Sequence, residues 1–335
     1  MIKKLFSLII VLGITVLALT YSLWDINFKD LGELLAGGDY RSLAPILGLL
    51  LLFYWLKAIR WIVILRPLGK FSVWEVTPSM MIGFAGNNVL PGHLGELIRT
   101  GIFSHRFASP VSSVLFTLVV ERILDVLAIF TMYEAGIAMV DLAPESLQIG
   151  AWFIAPLLAG LLAAILLMLW KPGIVLGLWD FFGRCFPNRF QEKVHGIIHN
   201  VIHAFSSLKS SLSVCALLVL SFLKWILMAG IIWFSLYAYG QTIPLELAFI
   251  VLGVITLAIT VPNAPGFIGA IQAAFVFALK PFGITEEIAF ASSVLFLIGQ
   301  WLPVTATGAF YFIAGGLHLA DVRKEVEEVE EASLG

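Results

Sequence analysis

The chain has 335 residues, of which 60% are hydrophobic and 13% charged, and its formal net charge is −2. A soluble domain carries about 25% charged residues, so this composition excludes a water-soluble globular protein. The near-neutral charge also leaves no basic footprint for nucleic acid. Cys185 and Cys215 are too few for a disulfide framework.

A helix needs about 20 apolar residues to cross a bilayer. Segment 5–23 meets this and follows Lys3 and Lys4; no small-residue cleavage site stands out after it, so it reads as an uncleaved first helix rather than a signal peptide. Segment 43–65 is the second crossing. Residues 74–89 are apolar but short, and Pro91-Gly92 separates them from a still shorter stretch, 93–103. Crossings follow at 111–140 and 152–170, then an amphipathic interfacial segment at 174–209 and a fifth crossing at 212–237. The pattern of interruption recurs at 245–261, where Pro262-Asn263-Ala264-Pro265-Gly266 precedes 267–279. A sixth crossing, 288–315, leads to an acidic tail at 321–335. Proline stops a helix and glycine permits a sharp turn, so each interrupted region reads as a re-entrant hairpin of two half-helices, with two kinked full crossings as the competing reading. The expectation is an all-α polytopic membrane protein, a single bundle over 1–320.

Charge orients it. With a cytoplasmic N-terminus and both hairpins returning to the side they left, twelve of the 20 basic residues fall in inner loops and three in outer ones; the other five lie within spans. That bias satisfies the positive-inside rule and places both termini in the cytoplasm, the protein itself in the cytoplasmic (inner) membrane.

The hairpins are alike. Residues 91–97 and 265–271 share P-G-x-Φ-G-x-Φ, Ser112–Phe116 recurs as Ser292–Phe296, and Leu56-Lys57 as Leu223-Lys224. These matches, in order and each in the same kind of element, predict a duplicated unit over 43–140 and 212–315. By the topology above the copies are inverted, an arrangement found in transporters, whose sites lie near the midplane at broken helices.

A charge at the bilayer centre costs about 2.5–3.5 kcal/mol on insertion scales, yet Lys57, Arg60, Glu96, Arg99, Glu121, Arg122, Asp125 and Lys224 sit in apolar segments. Arg60 lies about 9 Å along a helix from Arg66, and it and Lys57 could snorkel; Arg122, about 18 Å from its helix start, is too deep to escape easily. Glu121 and Asp125 share a helix face at i, i+4. Glu96 and Arg99, at i, i+3, can pair. Copy two has Ala270, Ala273, Trp301, Leu302 and Thr305 at the positions of Glu96, Arg99, Glu121, Arg122 and Asp125, so this ion cluster belongs to copy one. The alternatives are a salt bridge network that holds the bundle and a polar cavity for a charged substrate; the one-sided distribution favours the cavity. Half-helix N-termini at Gly92–Gly95 and Gly266–Gly269 would favour an anion, and Asn87, Asn88 and Asn263 supply amides at the breaks. Together these suit a phosphate inside the bilayer, a lipid headgroup.

His195, His199 and His203 recur every four residues, a spacing also expected of an amphipathic surface helix, which is the preferred reading over a metal site. No Walker, dinucleotide or H-E-x-x-H motif occurs, so no cofactor is expected.

Gly86–Arg99 (G-N-N-V-L-P-G-H-L-G-E-L-I-R), E-R-x-x-D at 121–125, K-x-x-R-W at 57–61 and P-N-A-P-G-x-x-G at 262–269 resemble the lysylphosphatidylglycerol synthase transmembrane, or flippase-like, family over nearly the whole chain. The resemblance implies a membrane domain without the family's soluble synthase, moving lipid between leaflets without aminoacyl transfer. In the family the second hairpin often carries an acidic residue after its glycine; Ala270–Gln272 stand there here. The expected activity is translocation of an anionic phospholipid or lipid-linked phosphate, a transporter rather than an enzyme. Lys57, Arg60, Arg99, Arg122 and Lys224 would attract the phosphate, with Glu96 beside them. Gly92, Gly95, Gly266, Gly269 and the three asparagines would cradle it, while Glu121 and Asp125 balance charge or accept a proton. The alternatives are an intramembrane transferase on polyprenyl phosphate and a scaffold for a partner synthase or glycosyltransferase. Expected partners are the membrane and a phosphatidylglycerol-like or polyprenyl-phosphate-like lipid; a homo-oligomer is compatible, and nucleic acid is not expected.

Overall fold

A computed structural model of the chain describes residues 2–90, 94–140, 143–183, 187, 191, 194–196, 211–261, 263–318 and 329. Among the described residues the secondary structure is helical, with no strand. The main elements are α1 (Ile2–Leu23), α2 (Phe28–Gly37), α3 (Leu43–Leu65), α4 (Val73–Val89), α5 (Leu94–Phe107), α6 (Val111–Met139), α7 (Glu145–Trp170), α8 (Pro172–Gly183), α9 (Ser211–Tyr237), α10 (Leu245–Thr260), α11 (Ala270–Leu279) and α12 (Glu286–Ala314).

Local chemistry sets the helix ends. Asn27 caps α2 by accepting from Lys29 N at 3.0 Å. Glu75 reaches back to Ser72 N at 2.7 Å and starts α4. Pro91 follows the last turn of α4, where Leu90 N still bonds Gly86 O at 2.7 Å. Asn263 closes α10 by donating to Ala258 O at 2.9 Å and Val261 O at 2.5 Å. These carbonyls have no partner within the helix, and water is scarce at such depth.

The packing is reciprocal. The first helices of the two units, α3 and α9, lie against each other; α4 of the first unit packs on α12 of the second, and α10 of the second on α6 of the first. Within each unit the half-helices pair, α4 with α5 and α10 with α11. Close approach explains several glycines: a Cβ on Gly95 would stand 2.6 Å from Asn87 N, and one on Gly136 2.7 Å from Glu246 O. Small residues at such crossings substitute for a hydrophobic drive that lipid cannot supply. The core runs through Ile46, Leu50, Phe53, Trp61, Ile231, Ile232, Ile250, Phe275 and Phe296.

The structure adds one element and refines two segments. Helix α6 spans 29 residues and carries Glu121, Arg122, Asp125 and Glu134; these charges keep it outside the five stretches of the described residues that are apolar enough to cross by composition alone, and its buried charges are met by neighbours. The stretch from Pro265 to Phe282 is apolar and long enough by count, but Gly266 and Gly269 have φ of +74° and +89°. The continuous helix is therefore the ten residues of α11, about 15 Å at 1.5 Å per residue, half the core. Helix α2 falls where the sequence suggested only an outer loop. Of the interfacial segment 174–209, residues 184–186, 188–190, 192–193 and 197–209 lie outside the described residues, as does the tail apart from Val329.

Candidate functional site

The depth of the bundle where α3, α5, α6 and α9 meet holds four cations and two carboxylates, all buried. Glu121 and Asp125, one turn apart on α6, are the two rungs. Glu121 is 3.2 Å from Lys57 Nζ, 3.0 Å from Arg99 and 3.5 Å from Arg60. Asp125 Oδ1 accepts from Arg60 at 2.6 Å and from the Trp225 indole N–H at 3.0 Å, and Lys224 Nζ pairs with the same oxygen by charge at 2.5 Å. Arg60 bridges the rungs and also donates to Ser221 Oγ at 2.9 Å. Lys57 and Arg60 do not snorkel: Arg60 is wholly buried and Lys57 is 6% exposed.

Lys57 and Lys224, equivalent positions of the two units, converge here because α3 and α9 pack together. Aromatic faces supply the rest of the shell. Lys57 Nζ stands 4.3 Å from the Phe84 ring centroid, the Arg99 guanidinium 3.7 Å from Trp61 and Lys224 Nζ 4.1 Å from Trp225, each within cation–π range. Even so, four cations face two carboxylates, a formal excess of two positive charges. Arg60 Nε and Arg99 Nε are buried without a hydrogen-bond acceptor.

Above the cluster Gly83, Phe84, Asn87, Gly95, Arg99 and Glu121 line a cavity of about 10 Å³, the room one water needs. Asn87 Oδ1 is buried there without a partner. Arg122 and Glu96 pair at its rim; Arg122 is half-exposed. The i, i+3 pairing of Glu96 with Arg99 expected from the sequence does not form: Arg99 turns to Glu121, and Glu96 to Arg122 across from α6. A phosphate group is larger than this cavity, so it enters only if the rim pair parts and the walls move.

Other expected site residues are used differently. Asn88 Nδ2 donates to Trp301 O at 3.3 Å and Thr305 Oγ1 at 3.0 Å, and Trp301 Nε1 returns a bond to Asn88 O at 3.3 Å. The copy-two counterparts of Glu121 and Asp125 thus bind the other unit's hairpin. Asn263 caps α10, and Gly266 sits against the Trp301 indole. The Gly269 N–H is taken by Gln272 Oε1 at 2.7 Å, and α1 covers that hairpin, with Thr15 Oγ1 accepting from Ala264 N at 3.3 Å. The second hairpin therefore offers no open anion cradle at Gly269. Gly92 lies outside the described residues, as do His199 and His203; His195 approaches Asp180 at 3.9 Å, and no group of metal-ligating residues occurs among the described residues. Sequence reasoning missed Ser221 and Trp225, whose signal was present: Ser221, Lys224 and Trp225 share one face of α9 at i, i+3, i+4.

Comparison with known proteins follows from this geometry. The chain is 24% identical over 322 residues to a UPF0104 membrane protein of Methanothermobacter thermautotrophicus, covering 90% of this chain and 93% of that one. It is 30% identical over 131 residues to the glycosyltransferase AglD of Haloferax volcanii, covering 39% of this chain and 21% of that one. Residues 5–308 match the family described as the lysylphosphatidylglycerol synthase TM region. With that match running through both units and every charge of the buried cluster, the chain is a multi-pass membrane protein that belongs to the lysylphosphatidylglycerol synthase transmembrane-region family.

Proposed function

We propose that the protein translocates an anionic lipid, a phospholipid or a lipid-linked phosphate, across the cytoplasmic membrane. The observation that supports this best is the formal excess of two positive charges in the buried cluster of Lys57, Arg60, Arg99 and Lys224 with Glu121 and Asp125. A neutral structural network would match its charges, because an uncompensated ion is costly in a low dielectric; an excess beside a closed cavity suits an anion that arrives from elsewhere. The headgroup phosphate would compete with Glu96 for Arg122, open the rim and reach Arg99, while Asn87 and Gly95 line its path. Movement of the two reciprocally packed units about this point would pass the headgroup from one leaflet to the other, with both termini facing the cytoplasm.

The transferase reading fares less well, because both candidate bases are engaged: Glu121 and Asp125 are each held by two or more cations, and a general base needs a free lone pair at its substrate. The similarity to a glycosyltransferase bears on the choice of lipid and leaves polyprenyl phosphates among the substrates to assay.

The test is reconstitution in liposomes with a leaflet-sensitive, labelled phosphatidylglycerol and, separately, a labelled polyprenyl phosphate. The parent is expected to move at least one of them, and Arg122→Ala to slow that movement about tenfold or more, as loss of one charge contact to the headgroup does. A parent that moves neither lipid refutes the transport reading; an Arg122→Ala variant as fast as the parent refutes the site.

A further inference from the structure

On the membrane-facing side of α3, α4 and α12 lies a second cavity, about 240 Å³, lined by Leu50, Tyr54, Thr77, Met80, Met81 and Tyr311 among others. Its rim is apolar and open: Trp74 and Leu51 are 81% and 74% exposed. Its two threonine hydroxyls are turned to their own helices, Thr77 Oγ1 to Val73 O and Thr307 Oγ1 to Pro303 O, each at 2.7 Å. Those hydroxyls are already satisfied, and the flexible thioethers of Met80 and Met81 adapt to an irregular hydrocarbon chain.

This groove and the ion cluster share a wall. Tyr54 lines the groove, and its ring centroid is 5.4 Å from that of Phe84. Phe84 also lines the small cavity, and its ring lies under Lys57 Nζ. Along α3, Leu50, Tyr54 and Lys57 are spaced i, i+4, i+7 on one face, so about 10 Å of helix rise separates the apolar floor of the groove from the first cation of the cluster. One amphiphile, with a tail at one end and an anion at the other, would fill both.

We propose that this groove is the tail site: it binds one acyl or prenyl chain of the lipid whose phosphate the cluster attracts, and the Tyr54–Phe84 ring pair is the partition between the two halves. This rests on the proposed function, but it can stand or fall separately. A protein segment is a poorer occupant, because its backbone would bring polar groups to a groove whose threonine hydroxyls are already engaged.

The full chain, reconstituted in liposomes, is photolabelled with phosphatidylglycerol carrying a diazirine on one acyl chain, and in parallel with a diacylglycerol carrying the same chain. Labelled peptides are mapped by mass spectrometry. Label is expected on α4 and α12 around Met80, Met81 and Tyr311, about tenfold above the outward-facing part of α7 near Trp152 and Phe153. The headless diacylglycerol is expected to label the groove several-fold less. Thr77→Trp, which fills the groove, should abolish the excess, while Leu162→Trp on α7 should leave it. Equal labelling of the groove and α7 overturns the proposal, and so does equal groove labelling by both lipids. The map on the unsubstituted chain decides even if Thr77→Trp fails to fold. Groove labelling in a protein that moves no lipid refutes translocation and keeps the tail site; translocation without groove labelling does the reverse.

Discussion

Asp125→Asn isolates the charge of the cluster from its shape. Two donors, from Arg60 and Trp225, and the ion-paired Lys224 ammonium all converge on Asp125 Oδ1. An asparagine with its oxygen in that place keeps every one of these contacts and removes only the negative charge. The formal excess then rises from two positive charges to three, all in residues shielded from water. Breaking a buried ion pair from one side costs about 3–5 kcal/mol; because the hydrogen bonds survive, the lower end, about 3 kcal/mol, is expected. Adding Lys224→Met removes a cation and returns the excess to two, so the double variant should be more stable than Asp125→Asn alone, with a coupling of at least about 1 kcal/mol. The assay is denaturation of the purified, detergent-solubilised protein followed by circular dichroism for the parent, both single variants and the double variant. A cost below about 1 kcal/mol for Asp125→Asn, or strict additivity in the cycle, would show that the carboxylate does not hold the cations and that the electrostatic account of the cluster is wrong.

Two further outcomes follow from the rim and the hairpin. Glu96→Gln frees Arg122 from its ion pair while the cluster beneath stays intact; binding of the translocated anionic lipid, followed by fluorescence of a labelled analogue, should tighten by about tenfold, a typical yield for releasing one charge contact, and an unchanged or weaker affinity would count against Glu96 as the headgroup's competitor. Gly95→Ala places a methyl 2.6 Å from Asn87 N and forces α4 and α5 apart; a stability loss of about 1–3 kcal/mol is expected from such overpacking, measured by the same denaturation, and a neutral variant would mean the hairpin is looser than its glycines suggest.

The broken helices were legible because proline and glycine act locally, and the relation of Lys57 to Lys224 was legible because duplication preserved it. Both survive in the structure: α4 ends at Val89, just before the proline of the sequence, and the two lysines meet on one pair of carboxylates. Partner choice was not legible. Spacing along one helix predicts Glu96 with Arg99, but packing brings α6 against α5, and each residue finds a partner across the gap. The breaks also consume their own polar groups. Backbone freed at depth has no water to turn to, so Asn263, Gln272 and Asn88 are spent on carbonyls, an amide and the neighbouring unit, while the sequence shows them only as available amides. Phe84 was invisible as a cluster member because an aromatic in an apolar helix reads as packing until a cation is seen over its face.

The charges of α6 also carry a consequence for biogenesis. This helix carries four charged residues, and synthesis delivers its counter-ions on both sides of it in time. Lys57, Arg60 and Arg99 leave the ribosome first and can receive Glu121 as soon as α6 emerges, whereas Lys224 follows about a hundred residues later. In the interval Asp125 has Arg60 alone. Insertion of α6 is therefore a joint act with α3 and α5, and the arrival of α9 completes it, so a ribosome-bound intermediate ending before α9 holds α6 less securely than the finished chain does.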